Sequence, residues 1–437
     1  MIKVVIDGVP GEPHPRRGSW SAVYEGGLYV WHGGWKTSDY HEYGCDDDAF
    51  SIFRLDLLSL KWDDLKLENG GGYNSEDMYA LSCGSCTQNY KYVYTFGGHC
   101  MTGWYGADPF CNIIYQVDLE TLKISRLKHK GQIPGSRDKT ALFYYKDALY
   151  LFGGWSRYQN TVQKGANFVC HKSYKTLGWN NEFYRYDLLT AEWTNQELKG
   201  HFPPPTAAST LTRAGDKAYL VAGRNPPDRV DDVYVLDLIT MVWEHYSNPV
   251  ALAPPVPWPG PRSSHAVSPI YLTGGAQTPH LVMFGGLAPD DSAYNDVWLF
   301  DLTNLQWKQQ KFQDNTLQIP CRTWFCMGAT LNIWTSCFEL CLFGGVQGSL
   351  LDQDILELAD TLVLEMGISS LKRLACFAII NNFKALEPVI DTLPTVLRDN
   401  LRELHIARDS KQALFTVLSR FSPFKCFPLL SHLEHKP

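Results

Sequence analysis

Short apolar runs that close on a pair of small residues punctuate the chain: LYVWHGG, YVYTFGG, LYLFGG, AYLVAG, LVMFGG and LCLFGG. Their terminal doublets are Gly33-Gly34, Gly97-Gly98, Gly153-Gly154, Ala222-Gly223, Gly285-Gly286 and Gly344-Gly345. From first member to first member the steps are 64, 56, 69, 63 and 59 residues. After each doublet comes a variable loop, then a run around an aromatic residue with a Trp near its end. The pairs are Phe53 with Trp62, Tyr184 with Trp193, Tyr234 with Trp243 and Trp298 with Trp307, while Tyr115 is followed by Ile124. Short runs bounded by turn residues read as strands. The aromatics of this pattern pack unit against unit, and none is assigned a functional role.

A period of roughly 50 residues with this chemistry, lengthened here by loop insertions, is the kelch signature, in which each unit is a four-stranded propeller blade. Six units predict an all-β fold, a six-bladed kelch propeller over residues 1–366. The glycines have a mechanical reason: blades converge on a crowded axis, where backbone must approach backbone with no Cβ between. The sequence leaves open which terminal strand closes the ring, the segment around Val4 to Ile6 being one candidate. After about Gly367 the pattern changes to apolar residues at helical spacing without doublets, which predicts a short C-terminal α-helical element over 367–405. Residues 406–437, which include FSPFKCFPLL, form a tail of mixed character.

Composition agrees with many short strands joined by tight turns: aromatic content is 13%, with 35 Gly and 25 Pro in 437 residues. A net charge of -7 without a long run of one sign offers no general attraction to nucleic acid or to a membrane surface. No apolar run approaches the roughly 20 residues of a membrane span, and the first residues do not resemble a signal peptide. The expected location is therefore intracellular, in nucleus and cytoplasm. Twelve Cys at irregular spacing suit reduced thiols. The one CxxC, Cys83 to Cys86, lies in a predicted strand; His99, Cys100 and Cys111 are conceivable zinc partners, but strand packing is the better reading. No nucleophile with base and orienting partner, phosphate loop or metal quartet stands out. The chain is expected to bind rather than to catalyse, with no cofactor and no metal.

In an up-and-down blade, the loops after the doublets and the blade entries share one end of the propeller. Trp35, His99, Trp155, Arg224, Leu287 and Val346 follow the doublets, and the long loop of the third unit adds Trp179. Arg224 and Arg229 bracket RNPPDR, and the next unit enters through Arg262-Ser263-Ser264-His265. Two guanidiniums and a hydroxyl make a compact anion site suited to a carboxylate. The residues equally allow Arg229 to pair with Asp231 or Asp232 and Arg224 to be a solvated charge.

Over most of its length the chain resembles the kelch-domain substrate receptors of cullin-RING ubiquitin ligases, in particular the subgroup that reads C-terminal diglycine degrons. The likeness runs through SRDKTALFYYKDALYLFGG, LGWNNEFYRYDLLTAEW and PPTAASTLTRAGDKAYLVAGRNPPDRVDDVYVLDL. By this resemblance Arg224, Arg229 and Ser263 hold the degron's free α-carboxylate, and Trp179, Trp324, Leu350 and Leu351 line its pocket. Ser264 stands where the subgroup has a Trp, and Trp155, Arg157 and Tyr158 replace an aromatic pair in a shorter loop. The resemblance thus implies capture of a carboxylate and leaves the preference for a Gly end open.

The tail adds to the likeness. Leu371, Leu374, Ala375, Cys376, Ala378 and Ile379 resemble the BC box that binds elongin C, the partner of elongin B. Leu393, Pro394, Leu397 and Leu401 resemble a cullin box of the cullin-two class, whose cullin carries a RING subunit. The implied function is the substrate-recognition subunit of a ligase that binds C-terminal tails of other proteins. The alternative is a kelch scaffold for a cytoskeletal or signalling partner, with a merely structural tail packed against the propeller.

Overall fold

The computed structural model describes residues 3–6, 12–36, 43–44, 51–57, 61–71, 81–100, 110–160, 163–249, 256–272, 278–310, 319–332, 337–348 and 356–366. Two compact units divide the chain: Met1–Tyr271 with Gln277–Thr330 and Leu340–Leu364, and Leu272–Ala276 with Leu331–Glu339 and Glu365–Pro437. The first is an all-β propeller. The helices expected over 367–405, and the tail over 406–437, lie outside the described residues. Among the described residues the only helical turn is a single 3-10 turn at Tyr158–Asn160.

Six sheets of four or more strands follow one another among the described residues. The first joins Trp20–Tyr24, Gly27–Trp31, Ser51–Asp56 and Lys61–Lys66. The second joins Ser85–Asn89, Tyr92–Phe96, Ile114–Asp118 and Lys123–Arg126, with Glu68–Gly71 added in parallel at its edge. In the third, Ala141–Tyr145, Ala148–Arg157, Leu177–Asp187 and Glu192–Asn195 form the main ladder. The fourth is Thr210–Ala214, Lys217–Asn225, Asp228–Asp237 and Val242–Tyr246. The fifth is Ala266–Leu272, Thr278–Phe284, Val297–Asp301 and Gln306–Gln310. In the sixth, Cys326–Asn332, Cys337–Phe343 and Thr361–Met366 are completed by Lys3–Ile6, which pairs antiparallel with Thr361–Met366 from Lys3↔Leu364 to Ile6↔Thr361.

Burial along the strands follows from this stacking. Second strands such as Gly27–Trp31 are buried throughout, because a neighbouring sheet covers each face. Outer strands such as Val242–Tyr246 and Gln306–Gln310 bury little but their Trp. Trp62, Trp193, Trp243 and Trp307 are 5%, 0%, 0% and 2% exposed, and Ile124 fills the equivalent place in the second sheet at 0%. Each apolar cluster bridges two sheets. Phe152 and Phe183 of the third sheet meet Trp243 of the fourth at 6.0 and 5.7 Å between centroids. Trp62 of the first sheet meets Phe343 of the sixth at 5.2 Å, in a cluster that also holds Leu28, Val30 and Cys341.

At the axis the backbone closes on itself. Gly18, Cys83, Lys139, Ala208, Ser264 and Trp324, one ahead of each sheet, have φ of 62, 58, 52, 53, 53 and 60°. Cys83 donates its N–H to Gly18 O at 3.0 Å, Lys139 to Cys83 at 2.8 Å and Ala208 to Lys139 at 3.0 Å. Ser264 then donates to Ala208 at 2.9 Å, Trp324 to Ser264 at 3.3 Å and Gly18 to Trp324 at 2.8 Å. These six bonds form a closed circuit that pairs one N–H and one C=O of each residue.

The doublets bind each sheet to the next. Gly98, Gly154, Gly223, Gly286 and Gly345 donate to the carbonyls of Arg137, Thr206, Arg262, Arg322 and Arg16 at 3.0, 2.9, 2.8, 2.9 and 2.8 Å. A Cβ on Gly153, Gly285 or Gly344 would lie 2.6, 2.7 or 2.6 Å from the oxygen of Thr206, Arg322 or Arg16. Ala222 takes the first doublet place in the fourth sheet at φ 51°.

Arg16, Arg137, Arg262 and Arg322 themselves are at most 1% exposed. Arg262 donates to Gly285 O at 3.0 Å and to both oxygens of Asp296 at 2.6 and 2.9 Å. Arg137 pairs with Glu182 at 2.5 Å and Arg322 with Asp360 at 2.8 Å. The sequence places Arg262 on the exposed face; the structure turns it inward as a bolt between loop and sheet.

Two predictions follow from this packing. Gly26 and Gly285 both have left-handed φ, but a Cβ on Gly26 meets nothing within 4 Å. Gly26→Ala should cost about 1–2 kcal/mol from conformation alone, and Gly285→Ala clearly more, as read by urea denaturation. Burial, reinforced by Arg16 and Arg262, pushes the imidazoles of His32 and His265 down to about 4 and about 3. The unfolded chain protonates them first, so stability is full above the ordinary histidine value and falls as pH drops from about 6.5 toward those values, by up to about 1.4 kcal/mol per pH unit for each residue. His265→Asn should flatten that slope in urea midpoints compared between neutral and mildly acidic buffer.

Candidate anion-binding site

Two hairpins extend past their doublets and carry the site. In the third sheet Ala148–Arg157 pairs with Leu177–Asp187, placing Trp155 opposite Trp179; in the fourth, Lys217–Asn225 pairs with Asp228–Asp237, placing Arg224 opposite Arg229. Both ladders shift register at the doublet, between Phe152 and Gly154 and between Val221 and Gly223. A bulge of this kind bends a strand and re-aims the residues beyond it. The turn between the two arginines is Pro226-Pro227.

Arg229 donates from Nε to Ser263 Oγ at 3.0 Å and from Nη2 to Asp291 Oδ1 at 2.7 Å. Its side chain is 7% exposed and that of Asp291 is 40% exposed. The pairing with Asp231 or Asp232 that the sequence allows is not formed. Asp232 takes His245 Nε2 at 2.7 Å, and Asp231 accepts from Asn248 at 3.4 Å, with burial raising its carboxyl above the usual range. Ser263 is held by a two-way backbone bridge to Leu287, at 3.1 and 2.8 Å. Leu287 and Val346 are buried and serve such bridges; they do not face outward.

The Arg224 guanidinium lies 5.6 Å from the centre of the Trp179 ring and has no acidic hydrogen-bond partner among the described residues. Desolvation, then the charge of Arg229, lowers its pKa, although an arginine in this setting stays cationic at neutral pH. Two like charges on facing residues repel unless an anion lies between them.

The wall beside Arg224 is aromatic. Trp155 and Trp179 meet edge to face at 4.7 Å, and His171 packs edge to face on Trp155 at 5.7 Å and tilted against Trp179 at 5.6 Å and the exposed Tyr174 at 5.0 Å. Desolvation and Arg224 keep the His171 imidazole below its ordinary value, which favours the neutral ring. Tyr158 is 64% exposed, its ring 5.3 Å from Phe168. Ser264 and Trp324 belong to the axial circuit. Leu350 and Leu351 lie outside the described residues, as do Leu371, Leu374, Ala375, Cys376, Ala378, Ile379, Leu393, Pro394, Leu397 and Leu401.

Sequence reasoning misses three residues here: Asp291, His171 and Lys139. Lys139 stands three places round the circuit from Trp324, and its ammonium lies 5.4 Å from that ring, a cation–π contact across the axis. It also pairs with Asp138, which accepts from His99 Nδ1 at 3.0 Å. Burial is the largest influence on Asp138, but the charge of Lys139 and the hydrogen bonds from His99 and Lys139 outweigh it and hold its carboxyl below the usual range. Lys139 was findable, since it falls two residues after a blade-entry Arg, as Ser264 and Trp324 do. The CxxC has a plain role: Cys83 serves the axial circuit, and burial pushes the Cys86 thiol up to about 11.

Comparison with known proteins places this geometry in context. Residues 82–345 match the model described as the KLHDC2/KLHL20/DRC7 Kelch-repeats domain. The chain is 30% identical over 388 residues to Kelch domain-containing protein 1 of Homo sapiens, covering 86% of this chain and 87% of that protein. It is 26% identical to Kelch domain-containing protein 2 of Bos taurus, covering 81% of each. Among solved structures YjhT superimposes with a TM-score of 0.54 over 82% of this chain and 99% of that one, at 15% identity, a likeness of fold alone.

Proposed function

The chain belongs to the kelch-repeat family of that domain model, and on this premise we propose that it is the substrate-recognition subunit of a cullin-RING ubiquitin ligase. Its six sheets are the six blades of one closed ring. One face captures the C-terminal carboxylate of a target protein, with Arg224, Arg229 and Ser263 as donors and Trp155, Trp179 and Trp324 as walls. The observation that carries this reading is a facing pair of arginines, one held by a hydroxyl and Asp291 and the other without a hydrogen-bonded acid among the described residues. A terminal carboxylate supplies two acceptor oxygens between two cations, and C-terminus capture is a known mode of peptide recognition. The contact of Arg224 with the Trp179 ring restrains the guanidinium before a ligand arrives, which lowers the ordering cost of binding.

Residues 367–405 dock elongin C, with elongin B, and a cullin of the cullin-two class through the BC-box and cullin-box residues named above. Ubiquitin transfer takes place elsewhere in that complex, and the chain itself is non-catalytic and works without a cofactor in nucleus and cytoplasm. Ser264, where a Trp closes the pocket in the diglycine readers, leaves room for a side chain next to the terminal residue. The alternative, a kelch scaffold for a cytoskeletal or signalling partner without a ligase role, shares the propeller and makes the tail merely structural.

Two measurements test this. Arg224→Ala and Arg229→Ala should each weaken binding of free-acid peptides from a C-terminal library by about 2–5 kcal/mol, at least roughly 30-fold, since each removes a desolvated charge-assisted contact. Equal capture of acid and amidated peptides by the native chain would refute the carboxylate reading. The tagged full chain should co-purify with elongins B and C, and Leu371→Ala should abolish this; absence of elongins from the native pull-down would leave the scaffold alternative standing.

A further inference from the structure

We infer that Asp291 is an internal stand-in for the ligand's carboxylate, occupying Arg229 in the empty site and giving way when a C-terminus arrives. The inference rests on the carboxylate reading above and adds a residue that sets affinity in the same site.

The case begins with an asymmetry. Arg229, at 7% side-chain exposure, cannot recover water when a partner leaves, so its charge needs an anion in every state of the site. Asp291, at 40%, can rotate into solvent at little cost. In an exchange of partners the carboxylate moves and the guanidinium stays.

The local structure suits this exchange. Asp291 sits at φ 64° in a tight turn whose own bonds run through other atoms: its N–H donates to Ala288 O at 3.0 Å, and Ala288 donates to Ser292 O at 2.8 Å. Asp290 satisfies Ser292 from its side chain, at 3.0 Å to the N–H and 2.6 Å to the hydroxyl. The Asp291 carboxylate therefore contributes nothing to holding its turn, and its one hydrogen bond among the described residues is to Arg229. Ser263 keeps Nε of Arg229 in place independently, so release of Asp291 frees a donor on Nη2 without freeing the arginine.

Arg224, on the facing strand, has no comparable partner. In the empty site Asp291 is the one carboxylate hydrogen-bonded to either guanidinium among the described residues, while Asp228 and Asp290 act on the pair only at longer range. An incoming carboxylate finds Arg224 without a hydrogen-bonded acid but must displace Asp291, or lie beside it, to gain Arg229. Asp291 weakens every ligand by this competition, and a neutral carbonyl, which brings no charge to exchange, cannot displace it.

The test compares the full native chain with Asp291→Asn and Asp291→Ser. The probe is a pool of acetylated octapeptides randomised at the last two positions, supplied as free acid and as C-terminal amide. Both variants should bind the acid pool at least fivefold more tightly than the native chain, while the amide pool stays unbound. If the native chain prefers the acid pool and both variants bind it equally or more weakly, Asp291 positions Arg229 and the inference is overturned. If the native chain and the variants fail alike to separate acid from amide, the carboxylate reading falls and takes this inference with it.

Discussion

Six backbone hydrogen bonds, from Gly18 through Cys83, Lys139, Ala208, Ser264 and Trp324 and back to Gly18, fix the centre of the molecule. Each requires a left-handed residue at the same place ahead of its sheet, so the angular position of every sheet is set by one residue's conformation. Non-glycine residues pay a steric cost there, and five of the six are not glycine. Closure of the circuit explains how that cost is tolerated, because a backbone amide left unpaired at the axis would cost more. At the next radius outward the doublets tie the second strand of one sheet to the entry segment of its neighbour, and the buried arginine side chains tie that entry segment to its own sheet.

The candidate site uses this frame without altering it. The third and fourth hairpins depart from the common plan only past the doublet, where their ladders slip register and continue. Their rigid bases belong to the core, and their tips carry Trp155, Trp179, Arg224 and Arg229. Charge is distributed by the same logic: the inner arginines are hydrogen-bonded to Glu182, Asp296 and Asp360, whereas Arg224 at the rim lies against a ring face, with Asp291 and Asp228 acting on it only at longer range.

Much of the fold was legible because its signals are local and periodic. Doublets, aromatic strands and outer Trp residues recur within each unit, and the second sheet's Ile124 replaces its Trp without breaking the pattern. The candidate site was legible only in part. Arg224 and Arg229 stand five residues apart on one hairpin and declare each other, but Asp291 lies 62 residues beyond Arg229 and meets it only through the stacking of neighbouring sheets. Asp231 and Asp232, nearer in sequence, are turned away toward Asn248 and His245. Arg262 misled for a related reason: its neighbours in sequence belong to the face, while its side chain reaches inward to Asp296.

The pairing of Lys3–Ile6 with Thr361–Met366 bears on how the protein is made. A ribosome delivers the first of these strands at the outset and the second only after five sheets have emerged. Until then the early segment has no edge to join, and the sixth sheet lacks its outer strand. Contacts of such long sequence separation form slowly and late. Completion of that sheet therefore waits for the late strand, and nascent chains stalled before Thr361 carry an open sheet and an unpaired strand, the kind of exposed edge that chaperones and degradation machinery act upon.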